Sequence, residues 1–264
     1  MKKYFVIGNP INHSLSPTLH NYWLKENNID AIYDKKKIDE KDLQTIISEV
    51  KEKKIEGINV TVPFKKIVIP YLDRLSLEAE QTQSVNTIVF DGSNLVGHNT
   101  DIFGFTKAIE NLDFSIKNKN ILILGAGGVV PSLIFALKKM YVSEIIITNR
   151  TKKKAEDLKV LFENLKVVEW GKLPDFDVII NATSIGLNHE IINLDFSKLG
   201  KNKLFYDVIY NPSETNFLRT GKKLGNKIEN GKTMFVYQAS EAFKLWHGVT
   251  PKINNETLTL LKND

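Results

Sequence analysis

Hydrophobic and polar residues alternate in short blocks of two kinds through the N-terminal part of the chain. Apolar runs suited to β-strands occur at residues 4–8, 31–38 and 57–62. Between them, apolar residues recur every three or four positions, at 16–28 and 40–54, as on the buried face of a helix. The pattern predicts an α/β unit in which strands and helices follow one another.

Turn and cap residues mark the ends of these elements. The stretch at 84–99 predicts a hairpin that turns at Asp91-Gly92, a pair typical of tight turns. Ser16 is the predicted N-cap of the first helix, and Pro17 suits its first turn. The segment IVIPYLDRLSLEAEQ contains one more predicted helix.

A second block follows the helix predicted at residues 102–112. NILILGAGG (120–128) is an apolar strand that enters a glycine turn, and further apolar strands are predicted in DFDVIINAT (175–183) and KLFYDVIY (203–210). Nearly continuous apolar strands separated by helices are typical of a parallel, doubly wound sheet. The predicted fold class is therefore α/β with a Rossmann-type second domain, and a last helix is predicted over ASEAFKLWHG.

Composition narrows the possible functions. The chain has 264 residues, 42% of them hydrophobic and 25% charged, which suits two modest domains. It has no cysteine, which excludes disulfides, thiolate metal sites and cysteine nucleophiles. The apolar run YFVI is too short for a signal peptide, and no run approaches the ~20 apolar residues of a membrane span. We therefore expect a cytoplasmic protein without a membrane partner.

The net charge of +5 predicts no nucleic-acid surface, because the lysines are scattered and mostly accompanied by acidic residues. Solvated helix faces explain most of them. A mild positive field also attracts small anions.

The glycine turn GAGGVV (125–130) is a candidate phosphate-binding loop. Gly125 and Gly127 match the first two glycines of G-x-G-x-x-G, but Val130 occupies the third position. The match alone is weak, since glycine turns also serve simple strand-to-helix packing. The complete strand–turn–helix–strand unit around it strengthens the interpretation as a dinucleotide site.

The end of the second strand in this unit indicates which dinucleotide binds. NAD-specific folds usually carry Asp or Glu there to bind the ribose 2′-hydroxyl. This chain instead has Arg150, with Lys154 one helical turn further on. A guanidinium suits a 2′-phosphate because its fork bonds two phosphate oxygens. NADP(H) is the predicted cofactor, and a solvated basic helix start is the alternative.

Polar side chains in otherwise apolar segments of the first block and near the C-terminus predict a second site. Ser14 and Ser16 flank a helix start, where free N–H groups favour an anion, although a serine there is often only a cap. Asn86 interrupts an apolar strand, Asp101 begins a helix and Gln238 lies in an apolar segment. Such residues at strand ends and helix starts of α/β sheets predict a polyhydroxylated, anionic small-molecule ligand.

Ten short motifs, in order and spanning nearly the whole chain, resemble those of the shikimate dehydrogenases, the NADP-linked enzymes of aromatic amino-acid biosynthesis. They are GNPINHSLSPTLHN, NVTVPFK, SVNT, GHNTD, GAGG, NRT, NATSIG, DVIYNP, NGKTMFVYQA and FKLWHG. The resemblance implies a substrate-binding and catalytic α/β domain with a mixed sheet over residues 1–101, on which the helices of 237–264 pack, and a Rossmann NADP-binding domain over 102–236.

The resemblance also implies roles for individual residues. Lys65 and Asp101 are the implied catalytic pair. The implied substrate-binding residues, for the carboxylate and the ring hydroxyls, are Ser14, Ser16, Asn59, Thr61, Asn86, Tyr210 and Gln238. The implied cofactor-binding residues are Gly125, Ala126, Gly127, Gly128, Val129, Asn149, Arg150, Thr151, Lys154, Thr183, Val208 and Gly231.

The implied reaction is the reduction of 3-dehydroshikimate to shikimate by NADPH, with Lys65 beside the developing alkoxide. No metal is expected, because hydride transfer is the chemistry of the cofactor. The chain departs from the family at Val129, Val130 and Pro131, where small and basic residues are common. A quinate/shikimate dehydrogenase of broader substrate or cofactor use is the nearest alternative, and a non-catalytic NADP-binding regulator is a further one. A monomer or a homodimer is expected.

Overall fold

The computed structural model describes residues 1–197 and 199–261, which form two compact units. One unit comprises residues 1–104 together with 236–261, and the other comprises 105–235. No helix of the described residues is both long enough and apolar enough to cross a membrane.

The first unit contains a mixed six-stranded sheet in the order β2-β1-β3-β5-β6-β4. Its strands are β1 Lys2–Gly8, β2 Ala31–Lys37, β3 Gly57–Val60, β4 Arg74–Leu75, β5 Thr87–Phe90 and β6 Leu95–His98. Its helices are α1 Ser16–Glu26, α2 Leu43–Lys51, α3 Phe64–Ile67, α4 Leu77–Thr82 and the start of α5 Asp101–Glu110, with 3₁₀ turns at Glu40–Asp42 and Ile69–Tyr71. Strands β1, β2 and β3 are parallel, whereas β5 is antiparallel to both β3 and β6.

The second unit contains an entirely parallel six-stranded sheet in the order β12-β11-β10-β7-β8-β9. Its strands are β7 Asn120–Leu124, β8 Glu144–Thr148, β9 Lys166–Val168, β10 Val178–Asn181, β11 Leu204–Asp207 and β12 Lys227–Glu229. Its helices are α6 Val130–Lys139, α7 Lys152–Asp157 and α8 Asn216–Lys223, with a 3₁₀ turn at Leu158–Val160. The order has the doubly wound Rossmann arrangement, so the predicted fold class is confirmed.

The chain then continues into α9 Lys232–His247 and α10 Asn255–Thr259. Helix α9 begins at Lys232 rather than at the predicted Ala239. Asn230 explains the earlier start, because its side-chain oxygen accepts a hydrogen bond from the Lys232 N–H at 3.0 Å. Gln238 therefore lies within a helix, and the prediction that it lies at a strand end or helix start was wrong.

Helix α9 brings rings from distant parts of the sequence into one aromatic cluster of the first unit, formed by His20, Trp23, Tyr33, Phe243 and Trp246. The rings of His20 and Tyr33 stack with centroids 4.2 Å apart. The indole N–H of Trp246 donates to the carbonyl of Ile88 in β5 at 3.0 Å. Residues 236–261 are thereby part of the packing of the first sheet.

Strand β3 ends earlier than the hydrophobic pattern predicts. It stops at Val60, and Thr61 opens a turn in which its carbonyl accepts the Phe64 N–H at 2.9 Å. Pro63 has no N–H with which to extend the ladder. Val62, which belongs to the strand predicted over 57–62, therefore lies outside the strand and is 55% exposed, so the predicted end of this strand was wrong.

Candidate active site

Lys65 and Asp101 form a buried ion pair in the first unit. Lys65 lies in the short helix α3, and Asp101 is the first residue of α5, where the helix dipole favours a carboxylate. The Lys65 ammonium donates to Oδ2 of Asp101, and the two side chains are only 11% and 9% exposed. Buried charges of this kind are retained when they are paired, and they are candidates for chemistry.

Asn86 holds the other oxygen of this carboxylate. Its Nδ2 donates to Oδ1 of Asp101 at 2.9 Å and lies 3.4 Å from Oε1 of Gln238. The segment that carries Asn86 is tied to α3 by the Val85 N–H, which donates to the carbonyl of Lys65 at 2.8 Å. Lys65, Asn86, Asp101 and Gln238, which are far apart in sequence, are thus brought together.

Asn59 has little capacity left for a ligand. Its Nδ2 donates to the carbonyl of Asn86 at 3.1 Å and to Oγ1 of Thr87 at 2.9 Å. Its Oδ1 accepts from the Tyr33 hydroxyl at 2.6 Å. Both N–H bonds are engaged within the protein, so these contacts favour a supporting role for Asn59 over the predicted contact with a substrate hydroxyl.

The two serines lie at the start of α1, but neither is the N-cap. The cap position is Leu15, so the prediction of Ser16 as the cap was wrong. Ser14 supplies the hydrogen bond instead, because its Oγ accepts from the Ser16 N–H at 3.3 Å. Thr61, in the turn after β3, is half-buried.

Tyr210, the remaining predicted substrate residue, belongs to the second unit. Its ring stacks on Phe235 with centroids 4.4 Å apart. Residue 210 follows strand β11, at the carboxyl edge of the parallel sheet, where α/β folds bind their ligands.

The glycine turn between β7 and α6 has the shape of a phosphate-binding loop. Gly125 has φ +111°, and a Cβ there would lie 2.9 Å from the carbonyl oxygen of Ala182, so only glycine fits. The exposed part of the turn includes Gly127 and Gly128, with half-buried Ala126 and Val129 beside them. Val130 and Pro131, the bulky departures from the family pattern, are buried inside the protein.

The end of β8 presents exposed basic groups. Arg150 and Lys154 are both exposed, and no carboxylate of the described residues lies within 4.0 Å of either charge. Their neighbours Lys152 and Lys153 instead pair with acids, at 2.6 and 2.9 Å. Asn149 donates from Nδ2 to the carbonyl of Thr151, the N-cap residue of α7, at 2.8 Å and so shapes this turn.

The loops after β10 and β11 are organised by Asn181 and Asp207, which sequence reasoning missed. Asn181 donates from Nδ2 to Oδ1 of Asp207 at 3.0 Å and accepts the Thr183 hydroxyl at 2.7 Å. The Val208 N–H donates to the carbonyl of Asn181 at 3.0 Å. Both residues lie inside the quoted motifs NATSIG and DVIYNP, where polar side chains at the ends of apolar strands were the available signal.

The fold and these contacts define a class of two-domain, dinucleotide-binding dehydrogenases, and comparisons with known proteins identify the family. Residues 6–88 match the family model described as shikimate dehydrogenase substrate binding domain, and residues 106–208 match that described as shikimate / quinate 5-dehydrogenase. The chain belongs to the shikimate dehydrogenase family.

Two curated relatives and one solved structure illustrate the similarity. The chain is 53% identical over 263 residues to a shikimate dehydrogenase (NADP(+)) of Pelagibacter ubique, covering 99% of both chains. It is 40% identical to one of Caldicellulosiruptor saccharolyticus, covering 99% of this chain and 98% of the relative. The Thermus thermophilus shikimate 5-dehydrogenase, solved with NADP(H) and shikimate, has a TM-score of 0.90 at 31% identity, with 99% of this chain and 98% of that chain covered.

Proposed function

We propose that the protein catalyses the reversible, NADPH-dependent reduction of 3-dehydroshikimate to shikimate in aromatic amino-acid biosynthesis. The observation that carries this proposal is the buried pair of Lys65 and Asp101 in a chain 53% identical to a curated NADP-linked shikimate dehydrogenase. A protein that only sensed the dinucleotide would have no use for a paired ammonium beside a substrate, which argues against the regulator alternative.

Lys65 is the proposed proton donor of the pair. Both oxygens of Asp101 accept hydrogen bonds, Oδ1 from Asn86 and Oδ2 from Lys65, which is the arrangement of an ionised carboxylate without a proton to give. The Lys65 ammonium stabilises the negative charge that develops on the ketone oxygen and protonates it to the alcohol. In the direction of shikimate oxidation, the same amine accepts that proton.

The first unit is the proposed substrate domain. Ser14 and Ser16 hold the substrate carboxylate, and Thr61 and Gln238 bind ring hydroxyls. Asn86, predicted as a further hydroxyl contact, is proposed to position Asp101 instead, because its two N–H bonds go to Thr100 and Asp101 at 2.9 Å each. Tyr210 in the second unit remains a proposed substrate residue. Asn59 is proposed to act through Asn86 and Thr87, because its own N–H bonds are already engaged.

The second unit is the proposed NADP(H) domain, and when bound the cofactor supplies the hydride. Its glycine turn leaves backbone exposed at Gly127 and Gly128 for a pyrophosphate. Arg150 and Lys154 suit a 2′-phosphate because both are exposed cations without a carboxylate neighbour among the described residues. The other proposed cofactor residues are Gly125, Ala126, Val129, Asn149, Thr151, Thr183, Val208 and Gly231.

Location and assembly are part of the same proposal. A biosynthetic enzyme of this kind is expected to act in the cytoplasm on a small molecule, as a monomer or a homodimer. Size-exclusion chromatography with light scattering measures the assembly directly.

Nicotinamide reduction with shikimate and NADP⁺, followed by near-ultraviolet absorbance, tests the proposed function. We expect turnover with this combination and much slower turnover with NAD⁺ or with quinate. Comparable rates with quinate would instead support the broader dehydrogenase named in the description of the second family model. Absence of turnover in a protein that binds NADPH would contradict the proposal.

A substitution pair tests the role of Lys65. Lys65→Met removes the ammonium but keeps the aliphatic chain, and we expect kcat to fall by about three orders of magnitude with little change in substrate affinity. Lys66→Met is the matched control, since Lys66 is the exposed neighbour in the same short helix. A Lys65→Met enzyme with near-normal kcat would remove Lys65 from the chemistry.

A further inference from the structure

Behind the catalytic pair lies a chain of buried hydrogen bonds that runs from the aromatic cluster to Asp101. Its members are Tyr33, Asn59, Thr87, Asn86 and Asp101. Tyr33 is 2% exposed and Thr87 is 0% exposed, so neither can touch a substrate. Thr87 lies in the motif SVNT, but neither it nor Tyr33 was predicted to have a role of its own.

Two backbone groups fix the direction of this hydrogen-bonded chain. The Thr100 N–H donates to Asn86 at 2.8 Å, so the Asn86 atom on that side must be the acceptor Oδ1. The Asn59 atom that lies 3.1 Å from the Asn86 carbonyl must likewise be the donor Nδ2. Neither amide can be flipped without placing two donors or two acceptors against each other.

The fixed amides determine what the two hydroxyls do. The Thr87 Oγ1 accepts from Asn59 at 2.9 Å, and Oδ1 of Asn86 at 3.1 Å is the nearer of the two acceptors for its own hydrogen, since Oγ1 of Thr100 lies at 3.3 Å. The Tyr33 hydroxyl must donate to Oδ1 of Asn59. Every bond thus points from Tyr33 towards Asp101.

We propose that Thr87, supported by Tyr33 through Asn59, is a positioning residue for the reaction. Together with the Thr100 N–H and hydroxyl, which donate to the same Oδ1 of Asn86 at 2.8 and 3.1 Å, the Thr87 hydroxyl holds the Asn86 amide in the orientation that presents Nδ2 to one oxygen of Asp101 and leaves the other oxygen for Lys65. The proposal rests on the proposed function, because its effect is read in the turnover of shikimate.

Two variants, one without the hydroxyl of Thr87 and one without its methyl, test this role. Thr87→Val keeps the shape but removes the hydroxyl, leaving an Asn59 N–H unpaired and Asn86 without one donor. We expect kcat to fall about tenfold, with KM for shikimate and NADP⁺ changed by less than about twofold. Thr87→Ser keeps the hydroxyl and loses a buried methyl, so its kcat should stay within about twofold of wild type although its Tm falls.

Tyr33→Phe tests the far end of the hydrogen-bonded chain. We expect a smaller loss of kcat, about threefold, because Asn59 keeps its two donor bonds. Tyr4→Phe is the matched control: Tyr4 is also buried in the first unit and packs on Trp246, and no hydrogen bond of its hydroxyl is found among the described residues. It should leave kcat unchanged.

A purely structural role for Thr87 predicts a different result. In that case the Val and Ser variants would lose Tm but keep the kcat of wild type, or would lose kcat equally, and either outcome overturns the proposal. If wild type itself did not oxidise shikimate, the proposed function would fail. Crystal structures would then decide: an Asn86 amide displaced from Asp101 in Thr87→Val supports positioning, and an unchanged 2.9 Å contact overturns it.

Discussion

Asp207 and Thr215 are joined by a buried hydrogen bond in which the threonine hydroxyl donates to Oδ2 of the aspartate at 2.7 Å. The same hydroxyl accepts the Leu218 N–H and caps helix α8. Through Oδ1, Asp207 also accepts from Asn181 and from the Ile209 N–H, each at 3.0 Å. One carboxylate therefore connects two loops at the carboxyl edge of the parallel sheet to the start of a helix.

Asp207→Asn should alter how stability depends on pH. Burial raises the pKa of Asp207 from 3.8 to about 6, against the opposing effect of its hydrogen bonds. A folded pKa above the unfolded one contributes stability that is complete below about pH 4 and is lost as pH rises through about 6. At pH 7 the stability lost in this way is about 2–3 kcal/mol. The Asp207→Asn protein would not show this loss, because the amide of asparagine does not titrate. Urea unfolding of both proteins from pH 4 to 8 measures their free energies of unfolding. A difference between these free energies that stays constant with pH would contradict the prediction.

His20 should give the opposite pH dependence. Burial, with His247 nearby, lowers the pKa of His20 from 6.5 to about 3. As pH falls, the unfolded chain binds a proton at His20 before the folded chain does. The stability that neutral His20 contributes is therefore fully present above pH 6.5 and is lost as pH falls towards 3. At pH 5 the loss is about 2 kcal/mol. His20→Phe keeps the ring stack on Tyr33 and should unfold with a shallower pH dependence between 6.5 and 4; identical slopes would exclude His20 as the source.

Arg150→Gln should change the choice of cofactor more than the rate. Without the guanidinium, we expect KM for NADP⁺ to rise about 10- to 100-fold while KM for NAD⁺ changes little, because only NADP⁺ carries the 2′-phosphate. Lys153→Gln is the control, since Lys153 already pairs with Asp157 at 2.9 Å. Steady-state kinetics with both cofactors decide it, and an equal rise in both KM values would argue against a 2′-phosphate contact.

Gly231→Ala should disturb the loop that carries Val208. A Cβ at residue 231 would lie 2.1 Å from the carbonyl oxygen of Val208, a backbone atom that cannot swing away. We expect a loss of about 2–4 kcal/mol in unfolding free energy, or a displaced loop with weaker NADPH binding. Gly200→Ala is the control, because nothing lies within 4 Å of its Cβ position. Denaturant unfolding and NADPH titration of both variants test the prediction, and matching results would refute it.

Sequence patterns predicted most of the fold because strand and helix periodicities are local properties. The hairpin at Asp91 is confirmed, and the carboxylate itself fixes the turn by accepting the N–H groups of Ser93 and Asn94 at 3.0 and 2.7 Å. Errors arose where one side chain changes the ending of an element. Asn230 starts α9 early, Ser14 replaces Ser16 as the hydrogen-bond acceptor at α1, and the turn at Thr61 exposes Val62.

The residue types of the candidate site were predictable from the sequence, but the hydrogen bonds that connect these residues were less so. The sequence motifs single out Lys65, Asn86 and Asp101, which the structure brings together. The supporting hydroxyl of Thr87 escaped notice because a threonine in a strand is normally explained by β propensity. Whether its hydroxyl faces a neighbour depends on the pairing of β3 with β5, which is a long-range property.

The position of α9 late in the chain determines which of the two units can fold first during synthesis. The first unit needs Trp246 against Ile88, and it also needs the carbonyl of Lys252, which accepts the indole N–H of Trp23 at 3.1 Å. Residues 105–235 leave the ribosome before either partner is available. Strands β1 to β6 must therefore wait, incompletely covered, while the parallel sheet of the second unit can already close. A chain that is truncated after residue 235 and released from the ribosome should yield a protease-resistant second unit and a protease-sensitive first one.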